Sequence, residues 1–520
     1  MTGRLGRIPL HSLFMALYPV TAVLASNMGQ VKPSVAGRST IVSLLVGLGL
    51  LLAMRVFTRN WSNAGLLTTW ALGLFYAYGH VYNMLRGLET AGPSFGRHRI
   101  MVPIWLLLGA AGVWLVVKKH GSLSWITPAL NLTLGVALIF PIGEILLFQR
   151  RMAIQAEATL ARTFGDRLST ATGVPLPDVY YIVLDAYTSA DVLRNSFDQD
   201  NGPFLSSLRQ MDFLVPECSQ SNYSQTELSL AATLNMAYLE ELIDETVPGE
   251  EGRSQLWPLI RHSAVRRTLE DIGYRTIAFE TGYYWSEWED ADLYLAPGHG
   301  LFQGLSAFEA TLLRSTAAWA LVDVLPGLPA FLVRDLDRST DAHRDRLLYV
   351  FGELEGVAML PGPKFVFAHI VSPHRPFVFD AQGNPADDDY GWEPSDLGFD
   401  AYRERYLEQV TYLNSRMTGV IHEILTNSSH PPVIIVQGDH GPEEGSSQDR
   451  MQILNATYLV GRGADPDNEQ VSPVNAFRYV LSTLFGAELP LLEDVSYFST
   501  YDRPFDYSIV PNECQADTDP

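Results

Sequence analysis

Long stretches of apolar residues dominate the first 150 residues. A helix needs about 20 mostly apolar residues to cross roughly 30 Å of hydrocarbon. Five stretches approach that length and have Lys or Arg near their ends, at approximately Pro9–Ser26, Thr40–Phe57, Ala64–Met84, Met101–Val117 and Ile126–Phe148. We therefore predict a bundle of about five transmembrane helices over residues 1–151, with four or six spans as the alternatives. The first stretch lacks a clear small-residue cleavage site, which argues against a signal peptide.

Beyond Arg151 the pattern is that of a soluble domain. Residues 152–177 start with an amphipathic stretch and end rich in Ser, Thr, Gly and Pro, which predicts a linker. Short β-branched and aromatic runs then predict buried strands at Asp178–Leu184, Arg275–Phe279, Lys364–Ile370 and Pro432–Gln437. Helical patterns separate them at Gln225–Ile243, Leu256–Ile272, Ala307–Val324, His343–Met359 and Tyr402–Thr426. This alternation predicts an α/β fold, a mostly parallel sheet sandwiched by helices, over residues 178–510, followed by a disordered tail at 511–520.

The two parts differ in charge. Of the chain's 36 basic and 58 acidic residues, 13 basic and two acidic residues lie within residues 1–151. Residues 1–151 therefore carry a net charge of +11, and residues 152–520 carry −33. A domain with a charge of −33 repels a phosphate backbone, which excludes nucleic acid as a partner. The Lys and Arg counts of alternate loops are similar, so they do not set the orientation. An odd number of spans puts the acidic domain on the side of the membrane opposite Met1.

Polar residues follow three of the predicted strands. They are Asp185, His374 and the Asp439-His440-Gly441 sequence. Ligands bind at the carboxyl ends of strands in open α/β sheets, so these side chains are candidate site residues. Their oxygen and nitrogen atoms suit a hard or borderline divalent cation. Taken singly, the acid could be a helix N-cap and Asp-His-Gly a turn.

A polar turn that leads into a helix supplies a candidate nucleophile. In the segment 221–235, Ser-Asn-Tyr-Ser-Gln precedes Thr226, whose hydroxyl would lie near the positive end of the helix, where N–H groups hold anions. A metal ion beside the hydroxyl would favour loss of its proton and produce an alkoxide. The alternative is that Ser224 or Thr226 only caps the helix.

Together these four segments resemble the sulfatase-like branch of the alkaline phosphatase superfamily. The membrane helices and the acidic domain are similar in layout to lipoteichoic acid synthase and phosphoethanolamine transferases. The resemblance implies one divalent metal ion (Mn²⁺, Mg²⁺, Ca²⁺ or Zn²⁺) held by Asp185, Thr226, Asp439 and His440. It also implies that Thr226 is the nucleophile, and that His374 contacts the substrate's charged oxygens or protonates the leaving group.

The implied protein is a multi-pass membrane enzyme with an extracytoplasmic C-terminal domain. It would hydrolyse or transfer a phospho-group on an envelope lipid or glycan through a covalent Thr226 ester, with its oligomeric state left open. Two features depart from relatives. Cys218 lacks the Pro and Arg of the motif that sulfatases oxidise to formylglycine, and Asp185 stands where the transferases usually have Glu. A sulfuric-ester hydrolase and a catalytically inactive membrane sensor or scaffold are the alternative functions.

Several further residues have two interpretations. Cys218 and Cys514 either form a disulfide or stay free. His369, in a predicted strand, is interpreted as a core histidine or a support for a ligand, and Arg450 as a support for the metal loop. The aromatic segment 283–288 fits either packing or a lipid or glycan pocket. Acids at Asp380 and at 387–389 are typical of a solvated loop.

Overall fold

The computed structural model divides the chain into two compact units. Unit 1 comprises residues 1–150 and 299–342, and unit 2 comprises residues 151–298 and 343–520. The structure describes residues 8–29, 31–87, 98–119, 123, 125–159, 176–243, 250–298, 306–318, 320, 339–386, 398–459 and 471–514.

Unit 1 is helical, and each of the five apolar stretches lies on a helix. The helices are α1 (His11–Ser26), α2 (Ala36–Thr58, after a 3₁₀ turn at Pro33–Val35), α3 (Trp61–Gly87), α4 (His98–Lys118) and α5 (Ile126–Thr159). Among the described residues, three segments are long and apolar enough to cross a membrane, Pro33–Thr58, His98–Lys118 and Ile126–Ile154. Leu45, Leu107 and Phe140 on these helices are 64%, 70% and 68% exposed, as lipid-facing side chains would be.

A short helix from later in the chain also belongs to unit 1. It is α12 (Ala307–Arg314), whose Phe308 and Leu312 pack with Val20 and Leu24 of α1. Its capping residue Glu309 forms an ion pair with Arg38 of α2. The linker at 152–177 and the catalytic domain at 178–510 stay predictions. Within the latter range, residues 299–342 group with the membrane helices.

A six-stranded sheet forms the centre of unit 2. Its strands are β1 (Val179–Leu184), β2 (Arg275–Phe279), β3 (Leu293–Leu295), β4 (Lys364–Ile370), β5 (Val433–Gly438) and β6 (Asn455–Tyr458). They lie in the order β3-β2-β4-β1-β5-β6, and only β6 is antiparallel to its neighbour. All side chains of β1 are buried, as expected for a strand with parallel neighbours on both sides. The predicted mostly parallel sheet is confirmed.

Helices cover both faces of the sheet. They are α6 (Ala190–Asn195), α7 (Gly202–Gln210), α8 (Thr226–Asn235), α9 (Leu239–Leu242), α10 (Trp257–Arg261), α11 (Ala264–Asp271), α13 (Ser339–Val357), α14 (Phe399–Asn427), α15 (Ser447–Met451) and α16 (Pro473–Phe485). On one face, Tyr180 and Ile182 belong to a core that includes Phe351 of α13 and Leu413 of α14. On the other face, Tyr181 packs edge-on against Phe477 of α16 at 5.2 Å between ring centroids.

Two predicted helices are interrupted. The stretch Gln225–Ile243 ends its first helix at Asn235, because Met236 adopts a left-handed φ of 56°. The stretch Leu256–Ile272 divides before Ser263, whose side chain accepts a hydrogen bond from the Arg266 N–H and starts α11.

A β-hairpin and a disulfide hold the end of the chain. Strands β7 (Ser496–Thr500) and β8 (Arg503–Val510) form the hairpin. Cys514 is bonded to Cys218, with 5.3 Å between their Cα atoms, so the open question about these cysteines is resolved as a disulfide. Residues 511–514 of the predicted disordered tail are therefore attached to unit 2, and residues 515–520 lie outside the described residues.

Candidate metal centre and active site

Two neighbouring strands bring three of the predicted metal ligands together. Asp185 follows β1, and Asp439 and His440 follow β5, which pairs in parallel with β1 so that Leu184 lies opposite Gly438. Carboxyl ends of parallel strands meet at one edge of a sheet, and the side chains that follow them share that edge. Asp185, Asp439 and His440 are 3%, 2% and 1% exposed.

The donor atoms of these residues form a compact cluster. One atom from each lies within 4.8 Å of the others. His440 Nε2 is 3.7 Å from Asp185 Oδ1 and 3.4 Å from Asp439 Oδ2. His440 Nδ1 lies 2.7 Å from the Gly441 carbonyl oxygen. In the tautomer that carries its proton on Nδ1, this nitrogen donates a hydrogen bond to the carbonyl, and the lone pair of Nε2 faces the two acids. Asp439 Oδ1 accepts a hydrogen bond of 2.9 Å from the Ala186 N–H.

These residues fit a divalent cation. Asp185 Oδ1 and Asp439 Oδ2 are buried and have no hydrogen-bond partner among the described residues. Buried carboxylate oxygens without a partner are costly unless a cation or a donor satisfies them. Two carboxylates and one imidazole nitrogen within 4.8 Å are a suitable ligand set for such a cation.

Thr226 lies beside this cluster as the first residue of α8. Its Oγ1 is 3.0 Å from His440 Nε2, and the side chain is half-buried. The N-cap of α8 is Gln225, and no side chain caps the helix. Ser224 Oγ instead donates to the Ser499 carbonyl at 3.1 Å and accepts from the Ser499 N–H at 3.1 Å. The structure thus contains no capping bond from Ser224 or Thr226 to α8.

His374 approaches the same site from the end of β4. Its backbone N–H donates to the Asp185 carbonyl at 3.0 Å, and its Nε2 lies 2.8 Å from Glu443 Oε1. Its Nδ1 lies 2.6 Å from the Arg375 carbonyl oxygen. Burial lowers the pKa of His374, but the charges of Asp185 and Glu443 outweigh burial and raise that pKa to about 10. A protonated ring can donate from both nitrogens, as these contacts require.

Asp185 is ionised for the reciprocal reason. Burial raises the pKa of Asp185, but the charge of His374 and the hydrogen bond from His369 outweigh burial and hold the pKa well below its ordinary value. Burial and the charge of Arg450 lower the pKa of His440. The neutral ring of His440 is the form that binds a metal ion.

Glu443 is a site residue that the sequence did not indicate. It accepts hydrogen bonds from His374 and from Arg375, whose Nε is 2.6 Å from Oε2. Burial raises the pKa of Glu443, but the positive charges of His374 and Arg375 outweigh burial and lower it. In the sequence Gly-Pro-Glu-Glu-Gly, an acid three residues after His440 is typical of a solvated turn, so no local signal marked it.

His369 contacts Asp185 from the core. Its Nε2 is 3.2 Å from Asp185 Oδ2, and its Nδ1 is 3.3 Å from Ser286 Oγ. The ring is buried beside Trp285, 5.7 Å away between centroids. Trp288 is fully buried against Phe367, so this residue of the aromatic segment 283–288 serves packing.

The solvated-loop prediction has one described member. Asp380 accepts hydrogen bonds from the Gln382 and Asn384 N–H groups in an exposed turn. Residues 387–389 lie outside the described residues.

Sequence comparison found no matching family model and no matching curated protein. Comparison with solved structures found similarity to the zinc complex of the C-terminal periplasmic domain of EptC from Escherichia coli, at 10% identity and TM-score 0.42, over 66% of this chain and 94% of that one. The integral membrane lipooligosaccharide phosphoethanolamine transferase A (EptA) from Neisseria meningitidis is 12% identical, with TM-score 0.39, and the similarity covers 92% of this chain and 95% of that one. The lipoteichoic acid synthase LtaP from Listeria monocytogenes is 15% identical, with TM-score 0.36, and the similarity covers 64% of this chain and 80% of that one.

Proposed function

We propose that this membrane protein is a metal-dependent enzyme that hydrolyses or transfers a phospho-group through a covalent Thr226 ester. The observation that carries the proposal is the position of the Thr226 hydroxyl. It lies 3.0 Å from His440 Nε2, beside two buried carboxylate oxygens that have no partner among the described residues. A nucleophile adjacent to an anionic ligand set is a requirement of catalysis and not of a sensor or scaffold.

Asp185, Asp439, His440 and Thr226 would hold a single divalent cation. When bound, the cation would favour the alkoxide form of Thr226 and polarise the phosphoryl oxygens. Thr226 Oγ1 would attack phosphorus in line while the bond to the leaving oxygen breaks. The N–H groups of the first turn of α8 would stabilise the charge on the non-bridging oxygens.

His374 would supply the proton. Its ring is protonated near neutral pH because its pKa is raised to about 10. The ring lies 6.5 Å from that of His440 between centroids, so it can contact a group bound between them. His374 would donate its proton to the leaving oxygen. Water or an acceptor alcohol would then give a proton to His374 and attack phosphorus, while the bond from phosphorus to Thr226 Oγ1 breaks and returns Thr226 to its alkoxide form.

The disulfide bears on the sulfatase alternative. Formylglycine forms from a cysteine or serine in a specific motif, which the sequence around Cys218 lacks. Cys218 is also bonded to Cys514, so it has no free thiol to oxidise. This observation favours phosphoesters over sulfuric esters.

The membrane helices and the charge support an envelope location of the substrate. Unit 1 contains segments suited to crossing a bilayer. A strongly acidic domain does not attract polyanions at long range, so anchoring the enzyme in the bilayer of its substrate would raise the local substrate concentration. We propose an extracytoplasmic catalytic domain that acts on an envelope lipid or glycan.

The test uses the full chain purified in detergent. Hydrolysis of p-nitrophenyl phosphate, bis-p-nitrophenyl phosphate and p-nitrophenyl sulfate is measured with Mn²⁺, Mg²⁺, Ca²⁺ or Zn²⁺, for the wild type, Thr226→Ala and the control Thr411→Ala. Thr411 lies on α14, where its hydroxyl donates to the Leu407 carbonyl. We expect metal-dependent turnover of a phosphate ester that disappears in Thr226→Ala alone. Equal turnover by all three proteins would contradict the role of Thr226.

A further inference from the structure

One face of α14 carries three buried polar side chains. Tyr402, Tyr406 and Gln409 are spaced by four and then three residues, which places them on the same face of a helix. They are 5%, 0% and 0% exposed. The buried residues that follow them on α14 are apolar. We refer to these three residues as the polar seam, and buried polar groups of this kind are placed where they have hydrogen-bond partners.

The two tyrosines of the polar seam hold the loops after β1 and β5. Tyr406 Oη donates a hydrogen bond of 2.8 Å to the carbonyl of Ala186, the residue that follows Asp185. The N–H of Glu443, in the loop after β5, donates a hydrogen bond of 3.0 Å to Tyr402 Oη. Both loops carry residues of the candidate site.

Gln409 holds the segment after β4, which carries His374. Its Oε1 accepts a hydrogen bond of 2.9 Å from the Val378 N–H. Its Nε2 donates to the carbonyl oxygens of Pro373 and His374, each at 3.4 Å. Because β4, β1 and β5 are neighbours in the sheet, one helix face contacts the loops at the carboxyl ends of three consecutive strands.

The turn after β1 contains a strained residue. Ala186 has a φ of 64°, in the left-handed region that residues with a Cβ atom rarely adopt. The Ala186 N–H donates to Asp439 Oδ1 at 2.9 Å. The carbonyl of the same peptide group belongs to Asp185 and accepts a hydrogen bond of 3.0 Å from the His374 N–H. A strained turn persists only where its surroundings hold it, and the bond from Tyr406 is one such contact.

We propose that the polar seam of α14 positions the metal ligands and the proton donor. Tyr406 holds Ala186 in its left-handed turn and thereby sets the orientation of Asp439. Gln409 holds the segment that carries His374. The inference rests on the proposed function, in which these residues bind the cation and donate the proton, and it adds the residues that orient them.

Packing alone is the competing explanation. In that case Tyr406→Phe and Gln409→Leu would lower the thermal stability of the protein, while the folded molecules would keep the metal affinity and the kcat of the wild type. The matched control is Tyr412→Phe. Tyr412 lies on the same helix, and its ring packs against Phe379 at 4.5 Å between ring centroids.

The first experiment titrates the metal-free full chain in detergent with Mn²⁺, Mg²⁺, Ca²⁺ or Zn²⁺ by calorimetry. We expect Tyr406→Phe to bind the preferred ion about tenfold more weakly, the lower end of the loss seen when a residue that orients a ligand is removed. Gln409→Leu and Tyr412→Phe should bind like the wild type. The double variant Ala186→Gly/Tyr406→Phe should bind about threefold more tightly than Tyr406→Phe, because glycine adopts the left-handed turn without support.

The second experiment measures kcat and KM for the preferred p-nitrophenyl ester at saturating metal concentration. We expect Gln409→Leu to lose about tenfold in kcat with an unchanged metal affinity, because the proton donor is misplaced and the metal ligands are not. Tyr412→Phe should keep the kcat of the wild type. Thermal unfolding of each metal-free variant reports the packing contribution separately.

The outcomes separate this inference from the proposed function. Equal metal affinity of Tyr406→Phe and wild type, no gain from Ala186→Gly in the double variant, or an unchanged kcat in Gln409→Leu would overturn the inference while the enzymatic proposal stands. If the wild type binds metal without turnover, weaker binding by Tyr406→Phe together with the gain in the double variant would support the inference although the enzymatic proposal had failed. A wild type that binds none of the four ions would overturn both.

Discussion

Replacing Arg253 with Met is expected to loosen the first turn of α8, the turn that carries Thr226. Arg253 donates to Gln225 Oε1 and forms an ion pair with Glu227, the residues on either side of Thr226. It also donates to the Tyr501 carbonyl at 3.0 Å. One buried cation therefore fixes both neighbours of the candidate nucleophile.

The size of the effect follows from burial. The side chains of Arg253 and Glu227 are 5% and 10% exposed, so solvent screens their attraction little. Without Arg253, the Glu227 carboxylate still accepts a hydrogen bond of 3.2 Å from the Trp257 Nε1–H. Removing one partner of a buried pair costs about 3–5 kcal/mol. If α8 opens locally, this corresponds to amide exchange that is about 100- to 5,000-fold faster.

The assay is hydrogen exchange with mass spectrometry on peptides from residues 226–235 of the full chain. The double variant Arg253→Met/Glu227→Gln also removes the unpaired charge of Glu227. We therefore expect the amides of α8 to exchange at least about tenfold more slowly in the double variant than in Arg253→Met. Arg194→Met breaks an exposed pair whose side chains are 59% and 51% exposed, and it should change exchange little. Exchange in α8 that stays at the wild-type rate in Arg253→Met would refute the reasoning. So would a double variant that exchanges as fast as the single one.

Three further predictions concern the metal, pH and the disulfide. Asp439→Asn should weaken divalent metal binding by at least about 100-fold, measured by metal analysis and titration of the purified full chain, because a carboxylate of the proposed ligand set is lost. Glu443→Gln should move the alkaline limb of the pH–rate profile to lower pH. The substitution removes a negative charge that raises the pKa of His374. Because activity needs the protonated His374 ring, activity is lost above that pKa, which is lower in the variant. An unshifted limb would exclude His374 as the titrating acid. Cys514→Ser should expose one titratable thiol at Cys218, where the denatured, unreduced wild type has none, and should lower stability by about 2–4 kcal/mol in thermal unfolding.

The sequence anticipated the parts of the site that local pattern determines. The strand that precedes Asp185 and the one that precedes Asp439 are short runs of buried β-branched and aromatic residues, and parallel pairing places their ends together. Thr226 was found because a polar turn precedes an apolar helix. The roles of these residues as nucleophile and metal ligands stay predictions until the experiments above are done.

Contacts between distant segments were not predictable in the same way. Glu443 belongs to the site because His374, 69 positions earlier, meets it across the edge of the sheet. Arg253 lies in a 3₁₀ turn with no unusual composition, and its partners are set by how α8 packs. Short strands such as β3 and β6 were also missed, because three or four residues give too little alternation to identify.

The order of strands in the sheet has a consequence for folding during synthesis. β1 pairs only with β4 and β5, both of which come much later in the chain. During synthesis, the apolar strand Val179–Leu184 has no sheet partner until Lys364–Ile370 has been made. Such long-range pairing is slow and leaves strand edges prone to aggregation. The unfinished chain is therefore expected to need protection from aggregation until β4 has been made.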